Sequence, residues 1–278
     1  MSYKTILVHL NNERRSGPLL QFATALGEKY GSHVVGLYVF PAFRLTPPIP
    51  MPFGKELAGT LRGELQEEER RIHLIFDTVT KGRTTVSEWR SVTTERRPVG
   101  EVVLDHARAA DLVIAGQADP DWGFSSILDC PERLAIESGR PVLVLPSAGQ
   151  FRALPRTVVV AWNGRREAAR AVFDALPLLL MAEIVEVLTV DERPRDEDSL
   201  PDTEITAAIA RHGVRVKLTN LMPRKGSSAD EIRARAADLK ADLIVMGAYG
   251  HSRLSEFVFG GATRHLLKEM TIPVLFSH

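Results

Sequence analysis

The chain has 278 residues, the length of about two ordinary domains, and 44% of them are hydrophobic, as in soluble globular proteins. Its 35 basic residues balance its 35 acidic ones, so no global charge attracts nucleic acid or an anionic membrane, and anions must bind locally. The single cysteine, Cys130, excludes an intrachain disulfide and fits a reducing compartment. We find no signal-peptide pattern and no apolar run near the ~20 residues that span a bilayer, and we therefore expect a cytoplasmic protein.

Short apolar runs alternate with helical patterns along the whole chain, which is typical of parallel strands covered by helices on both faces. In the first half, the patterns predict strands at 4–10, 34–40, 85–92, 111–116 and 142–145, and helices at 17–30, 57–80 and 99–109. Residues 41–59 are rich in proline and predict an extended loop.

In the second half, strands are predicted at 157–162, 184–190, 214–219, 242–247 and 274–276. Helices are predicted at 166–180, 203–211, 228–239 and 263–269. The residues Ser228-Ala229-Asp230-Glu231 fit a capping box that opens the third of these helices.

The two halves of the chain repeat each other. Residues 110–116 (ADLVIAG) resemble 241–247 (ADLIVMG) at an offset of 131, and residues 5–8 (TILV) resemble 157–160 (TVVV) at an offset of 152. The matching order indicates a duplicated domain and not a solenoid, whose period would be roughly 20–50 residues. We predict an α/β fold of two tandem copies, each an open, doubly wound, parallel five-stranded sheet with helices on both faces. The predicted domains are residues 1–148 and 155–278.

A glycine-rich segment late in the chain is the strongest functional signal. Residues 247–250 (GAYG) follow a buried strand, and after nine residues 260–263 (GGAT) open a helical pattern. Backbone N–H groups at such glycines and the positive end of a helix dipole suit phosphate, and His251 and Arg253 could add donors. The spacing is neither that of a Walker A loop nor the dinucleotide Gly-x-Gly-x-x-Gly. Alternatively, the glycines only supply turn geometry and Thr263 is an ordinary N-cap.

Asn163 is a second candidate, because it lies where the first strand of the second half turns into a helix. Its amide suits a hydrogen bond to a ribose or to the edge of a base. The alternative is that it caps the helix. Asn11 occupies the corresponding place in the first half.

The glycine-rich segment resembles the phosphate motif of the universal stress protein family. That motif is Gly-x-x-Gly, then nine residues, then Gly followed by a small residue and Ser or Thr. The phrases before and after it, 242–247 and 272–275, also resemble that family. The whole chain is similar to a tandem universal stress protein with a nucleotide-binding α-hydrolase-like fold. The resemblance implies a stress-response binding module in which ATP lies with its phosphates on the glycine loop and its adenosine near the first two strands.

The resemblance implies a nucleotide site in the second half. Its residues are Ala161, Asn163, Val190, Met246, Gly247, Gly250, His251, Arg253, Gly260, Gly261, Ala262 and Thr263. Two of them depart from the family pattern. Gly261 stands where the family usually has Ser or Thr, which removes a hydroxyl donor, and Asn163 replaces an aspartate, which removes a charged acceptor.

The first half has lost this motif. Gly116 is kept, but Asp119 replaces the second glycine, and residues 129–132 (DCPE) replace GGAT. The carboxylates of Asp129 and Glu132 repel phosphate, and a proline at 131 removes an N–H donor. We predict that this half binds no ATP and is either a structural partner or a site for a less anionic ligand. Cys130 is either a reactive thiol at a helix N-terminus or a packed small residue.

We find no nucleophile elbow, no metal-ligand spacing of histidines and no carboxylate for Mg²⁺ near the glycine loop, and we expect no catalytic or metal-binding residues. The predicted function is binding of ATP or another adenine nucleotide, with or without Mg²⁺, in the C-terminal half only. The alternatives are a slow ATP hydrolase, and a structural or interaction protein in which neither half binds nucleotide. The expected partners are the nucleotide, the other half of the chain and a second copy in a homodimer.

Overall fold

The structure is a computed structural model of the chain, and it describes residues 2–41, 51–190, 201–222, 227–248 and 261–278. The elements of the first half are β1 (Thr5–His9), α1 (Glu13–Tyr30), β2 (His33–Phe40), α2 (Met51–Thr80), β3 (Val86–Thr93), α3 (Val99–Ala107), β4 (Leu112–Gly116), α4 (Ser125–Leu128), α5 (Pro131–Glu137) and β5 (Val142–Leu145). Those of the second half are β6 (Thr157–Trp162), α6 (Arg166–Asp174), α7 (Leu176–Leu179), β7 (Ile184–Val190), α8 (Asp202–Arg211), β8 (Val216–Leu221), α9 (Ser228–Asp238), β9 (Leu243–Gly247), α10 (Gly261–Glu269) and β10 (Val274–Ser277).

The ten strands form one sheet in the order β3-β2-β1-β4-β5-β10-β9-β6-β7-β8. Each half has the same doubly wound order, and its strands are parallel, which confirms the predicted fold class. The halves join where β5 pairs with β10 in the antiparallel direction, with Val144 opposite Val274. Because the two halves therefore run in opposite directions, the carboxyl ends of their strands lie at opposite edges of the sheet.

The central strands are buried on both faces, since consecutive residues such as Ile6, Leu7 and Val8 are at most 1% exposed. This burial explains why the central strands read as continuous apolar runs and not as alternating ones. The edge strands β3 and β8 carry more exposed and polar residues, which suits their position. No helix in the described ranges combines the length and the apolar character needed to cross a membrane.

The predicted loop at 41–59 is wrong over 51–59, because α2 already includes Met51. Pro52 is the second residue of that helix, where its missing N–H has no intrahelical partner to lose, so the proline is tolerated. Residues 42–50 lie outside the described part of the chain.

Other helix predictions also differ from the structure: α1 begins at Glu13 and not at 17, and α4 and α5 were not predicted. The helix predicted over 166–180 is divided at Ala175, because Pro177 lacks the N–H that would continue the ladder of hydrogen bonds. The capping box of α9 lies one residue earlier than predicted: the Ser227 hydroxyl and the Asp230 backbone N–H form one half, and the Asp230 carboxylate and the Ser227 N–H form the other.

The repeated aspartates Asp111 and Asp242 have the same structural role in the two halves. The Oδ2 atom of Asp111 accepts the N–H groups of Lys4 and Thr5 at 2.7 and 2.9 Å. That of Asp242 accepts those of Arg156 and Thr157 at 2.8 and 3.0 Å. These bonds pair backbone donors at the amino ends of β1 and β6, the edge opposite to the one where ligands bind in such sheets.

Candidate functional site

The predicted site residues on β6, β7 and β9 meet at the carboxyl edge of the second half. Ala161 pairs with Leu188 on one side and with Met246 on the other, which places the three strands in register. Val190 and Gly247 end β7 and β9 a short distance beyond these pairs. The structure therefore brings the predicted adenosine and phosphate sides of the site to adjacent strands.

Helix α10 begins at the same edge of the sheet. Nε2 of His265, in its second turn, lies 2.9 Å from Oδ1 of Asp230 in the first turn of α9. Helix α9 runs from the carboxyl edge back to the start of β9, so its N-terminus lies at the carboxyl edge. The contact between His265 and Asp230 places the N-terminus of α10 at the same edge. Thr263 is 3% exposed and Ala262 is half-buried there. Four N–H groups at the start of a helix lack intrahelical partners and favour an anion.

Gly247 has a packing requirement of its own. A Cβ atom at this position would lie 2.6 Å from the backbone N of Ala168 and 2.6 Å from the backbone C of Glu167. The end of β9 and the first turn of α6 thus approach backbone to backbone, which only glycine allows. This contact brings α6 against the glycine-rich strand end.

Comparisons with known proteins agree with this geometry. The model of the Universal stress protein family matches residues 155–278. The C-terminal half of this chain belongs to the universal stress protein family. Universal stress protein Slr1230 of Synechocystis sp. is 26% identical over 146 residues, which are 52% of this chain and 49% of that protein, so the match spans about half of the relative's length.

Solved structures of universal stress proteins resemble the whole chain. A universal stress protein from Archaeoglobus fulgidus has a TM-score of 0.67 at 16% identity, covering 100% of this chain and 96% of that one. A putative universal stress protein from Pseudomonas aeruginosa has a TM-score of 0.56 at 16% identity, covering 99% of this chain and 93% of that one. At these identities the likeness shows the fold, and it extends over both halves.

The universal stress protein domain contains a buried carboxylate that the sequence analysis missed. Glu167 is 5% exposed and lies in the first turn of α6, against Gly247. Burial raises the pKa of Glu167, but hydrogen bonds from Arg166 and from backbone, with the nearby His278, bring that pKa below its usual value. An ionised carboxylate therefore lies beside the predicted phosphate site. The available sequence signal was an acidic residue four positions after Asn163, at the start of the helix that follows β6.

Asn163 closes the turn between β6 and α6 of the domain. Its Oδ1 atom accepts the backbone N–H of Arg165 at 3.1 Å, and the residue is exposed. This bond closes an Asx-turn before the helix, whose N-cap is Arg165 without a side-chain cap, so the structure does not support the capping alternative. Next to it, the Trp162 indole donates to Oδ1 of Asp202 at 2.9 Å, and the Thr189 hydroxyl donates to Oδ1 of Asn220 at 2.8 Å.

Four residues of the predicted phosphate site lie outside the part of the domain that the structure describes. They are Gly250, His251, Arg253 and Gly260. Gly261 is the first residue of α10. The roles assigned to these five residues in the phosphate site remain predictions.

Cys130, in the first half, is a packed residue and not an activated thiol. It is buried, and burial raises the pKa of its thiol to about 12. Its Sγ atom lies 3.8 Å from Nδ1 of His9, whose own pKa is lowered to about 4 by burial. Both groups are therefore neutral at pH 7, and the reactive alternative lacks the thiolate that it requires.

Proposed function

We propose that the universal stress protein domain at residues 155–278 binds ATP or another adenine nucleotide and that the chain is a stress-response binding module. The supporting observation is that the N-terminus of α10, the glycine end of β9 and the ends of β6 and β7 share one carboxyl edge. That edge is where open parallel sheets bind ligands. The proposed domain boundaries remain 1–148 and 155–278.

The residues at this edge suit the two parts of a nucleotide differently. On the phosphate side, α10 begins with Gly261, Ala262 and Thr263, and the positive end of its helix dipole favours an anion. On the adenosine side, Ala161 lies near the end of β6, Asn163 directly follows that strand, and Val190 ends β7. The Glu167 carboxylate opposes a bare triphosphate, and we therefore propose that the nucleotide binds with Mg²⁺, which Glu167 would help to hold. The metal would neutralise phosphate charge.

We propose binding, and not catalysis, as the main role. Glu167 is nevertheless a carboxylate that could orient water, and this observation favours slow ATP hydrolysis as the second candidate. Phosphate release from ATP by the purified chain, compared with the variant Glu167→Gln, separates the two roles. Release above a blank that disappears in the variant, while calorimetry shows that the variant still binds ATP, would support the hydrolase. A cytoplasmic location and a homodimer of whole chains remain part of the proposal.

The direct test is to identify what the protein carries. Protein purified without added nucleotide, then denatured, should release an adenine nucleotide detectable by mass spectrometry. Added ATP with Mg²⁺ should raise the melting temperature, because a ligand that binds only the folded state stabilises it. If no nucleotide is released and no adenine nucleotide shifts the melting temperature, the proposed function is wrong.

Thr263→Ala should weaken nucleotide binding by about 0.5–1.5 kcal/mol, the value of one hydrogen bond. This corresponds to a dissociation constant roughly 2–12 times higher, measured by isothermal titration calorimetry. Thr263→Ser, which keeps the hydroxyl, is the matched control and should bind almost as the natural protein does. Equal affinity of the alanine and serine variants would exclude a phosphate bond from this hydroxyl.

A further inference from the structure

The most heavily hydrogen-bonded carboxylate at the carboxyl edge of the first half is Asp129. Its side chain is 3% exposed and that of Arg15 is 5% exposed, and the two form an ion pair at 2.7 Å. Oδ1 accepts from Arg15 Nη2 and, at 2.8 Å, from Asn11 Nδ2. Oδ2 accepts from the backbone N–H of Asp119 at 3.0 Å and from the Ser125 hydroxyl at 2.7 Å. Four donors from two stretches of the chain, residues 11–15 and 119–125, thus converge on one anion.

This cluster lies where the second half is proposed to hold phosphate. Asp129 and Asp119 correspond to Gly260 and Gly250 at the offset of 131, so the N–H that binds the carboxylate belongs to the second position of the Gly-x-x-Gly motif. Asn11 follows β1, and Asp119 follows β4, which is the strand next to β1. The carboxylate therefore lies at the crevice beyond these central strands.

Arg15 makes an anion necessary at this place. Its guanidinium lies beside Gly116, 5.4 Å from the centre of the Trp122 ring, and also donates to the carbonyl of Gln117. A buried guanidinium without a counter-charge is strongly unfavourable. Among the described residues its Nε has no hydrogen-bond partner, so the group keeps a donor that Asp129 does not use. At the corresponding position, with an offset of 152, the second half has the acidic Glu167.

We propose that the first half is an oxyanion site that the chain fills with its own Asp129 carboxylate. The donors are those that a tetrahedral oxyanion such as phosphate or sulfate requires: one guanidinium, one amide, one hydroxyl and one backbone N–H. The aspartate thus replaces a bound ligand, and it also keeps external anions out. Because the cluster lies wholly in the first half, this inference does not depend on nucleotide binding in the second.

The test removes the internal anion and supplies an external one. In the full-length chain, Asp129→Gly introduces the residue found at 260, and inorganic phosphate is the probe, with chloride at equal ionic strength as the reference. Phosphate at millimolar concentration should raise the melting temperature of Asp129→Gly by several degrees more than that of the natural protein. Calorimetry should show phosphate binding at least tenfold tighter than in the natural chain.

The matched control is Arg15→Met combined with Asp129→Gly, which lacks the cation and should lose the phosphate response. The proposal is overturned if Asp129→Gly responds to phosphate no more than the natural protein, or if the double variant responds equally. If Asp129→Gly does not fold in chloride, refolding in phosphate but not in chloride supports the proposal.

If Asp129→Gly refolds in neither salt, Asp129→Ala decides, because it also removes the carboxylate but adds less backbone freedom than glycine. A higher melting temperature of this variant in phosphate than in chloride supports the proposal. Equal melting temperatures in the two salts overturn it.

Discussion

Replacement of Glu186 by alanine should lower the free energy of unfolding by about 3 kcal/mol, the lower end of the range for breaking a buried ion pair. Glu186 lies on β7 and is 0% exposed. Its oxygens accept from Nε and Nη2 of Arg235 at 2.6 and 3.0 Å, and Lys217 Nζ lies 2.6 Å away. We expect a loss at the lower end of that range because the side chains of Arg235 and Lys217 are partly exposed. Water can solvate them when the Glu186 carboxylate is removed.

Glu183→Ala is the matched control for this loss, because Glu183 lies just before β7 and forms an exposed pair with Arg156 at 3.0 Å. Such surface pairs contribute about 0–1 kcal/mol. Urea unfolding of both variants measures the difference. A Glu186→Ala variant no less stable than Glu183→Ala would show that the buried pair contributes nothing net to stability.

The same pair predicts a pH dependence. Burial raises the pKa of Glu186, but the hydrogen bonds from Arg235 and Lys217 outweigh it and hold that pKa below its ordinary value. A carboxyl with a depressed folded-state pKa stabilises the protein above its unfolded pKa, and the contribution is lost as the pH falls through the folded pKa. The stability difference between the natural protein and Glu186→Ala should therefore be full at pH 7 and shrink in acid.

Gly247→Ala should both destabilise the protein and abolish tight nucleotide binding. The added methyl group meets the backbone of Glu167 and Ala168 at 2.6 Å, and no side-chain rotation can relieve that contact. Helix α6 must then move away from β9, at a cost of about 1–3 kcal/mol for overpacking. Because that movement separates Asn163 from the glycine end of β9, we expect the dissociation constant for ATP to rise at least tenfold.

Gly116→Ala, the same position in the first half, is the control. There the nearest atom is Cδ of the Arg15 side chain at 3.3 Å, which can shift by a few tenths of an ångström. Its cost in stability should be smaller, and nucleotide binding should not change. Denaturant unfolding and calorimetry measure the two effects. Natural affinity together with natural stability in Gly247→Ala would contradict the close contact between α6 and β9.

The sequence by itself determined the elements and their repetition. Continuous apolar runs predicted the buried strands, and the offsets of 131 and 152 predicted two similar halves, because strand and helix periodicity depends on near neighbours. It also identified the strand ends that meet at the candidate site, since parallel strands in a doubly wound sheet share one carboxyl edge. Where the patterns failed, as at Met51 and Ala175, the position of a proline within its helix decided the outcome.

Only the tertiary structure decided how the halves join and which charges meet. The antiparallel pairing of β5 with β10 joins the two halves into one sheet. It also places the carboxyl ends of their strands at opposite edges of that sheet. Arg15 and Asp129 are 114 residues apart, and Glu186 and Arg235 are 49 apart. No periodicity links residues at such separations, because their contact depends on how whole elements pack. From the sequence alone we expect Asp129 only to repel phosphate. In the structure, its carboxylate is itself the anion that the first half binds.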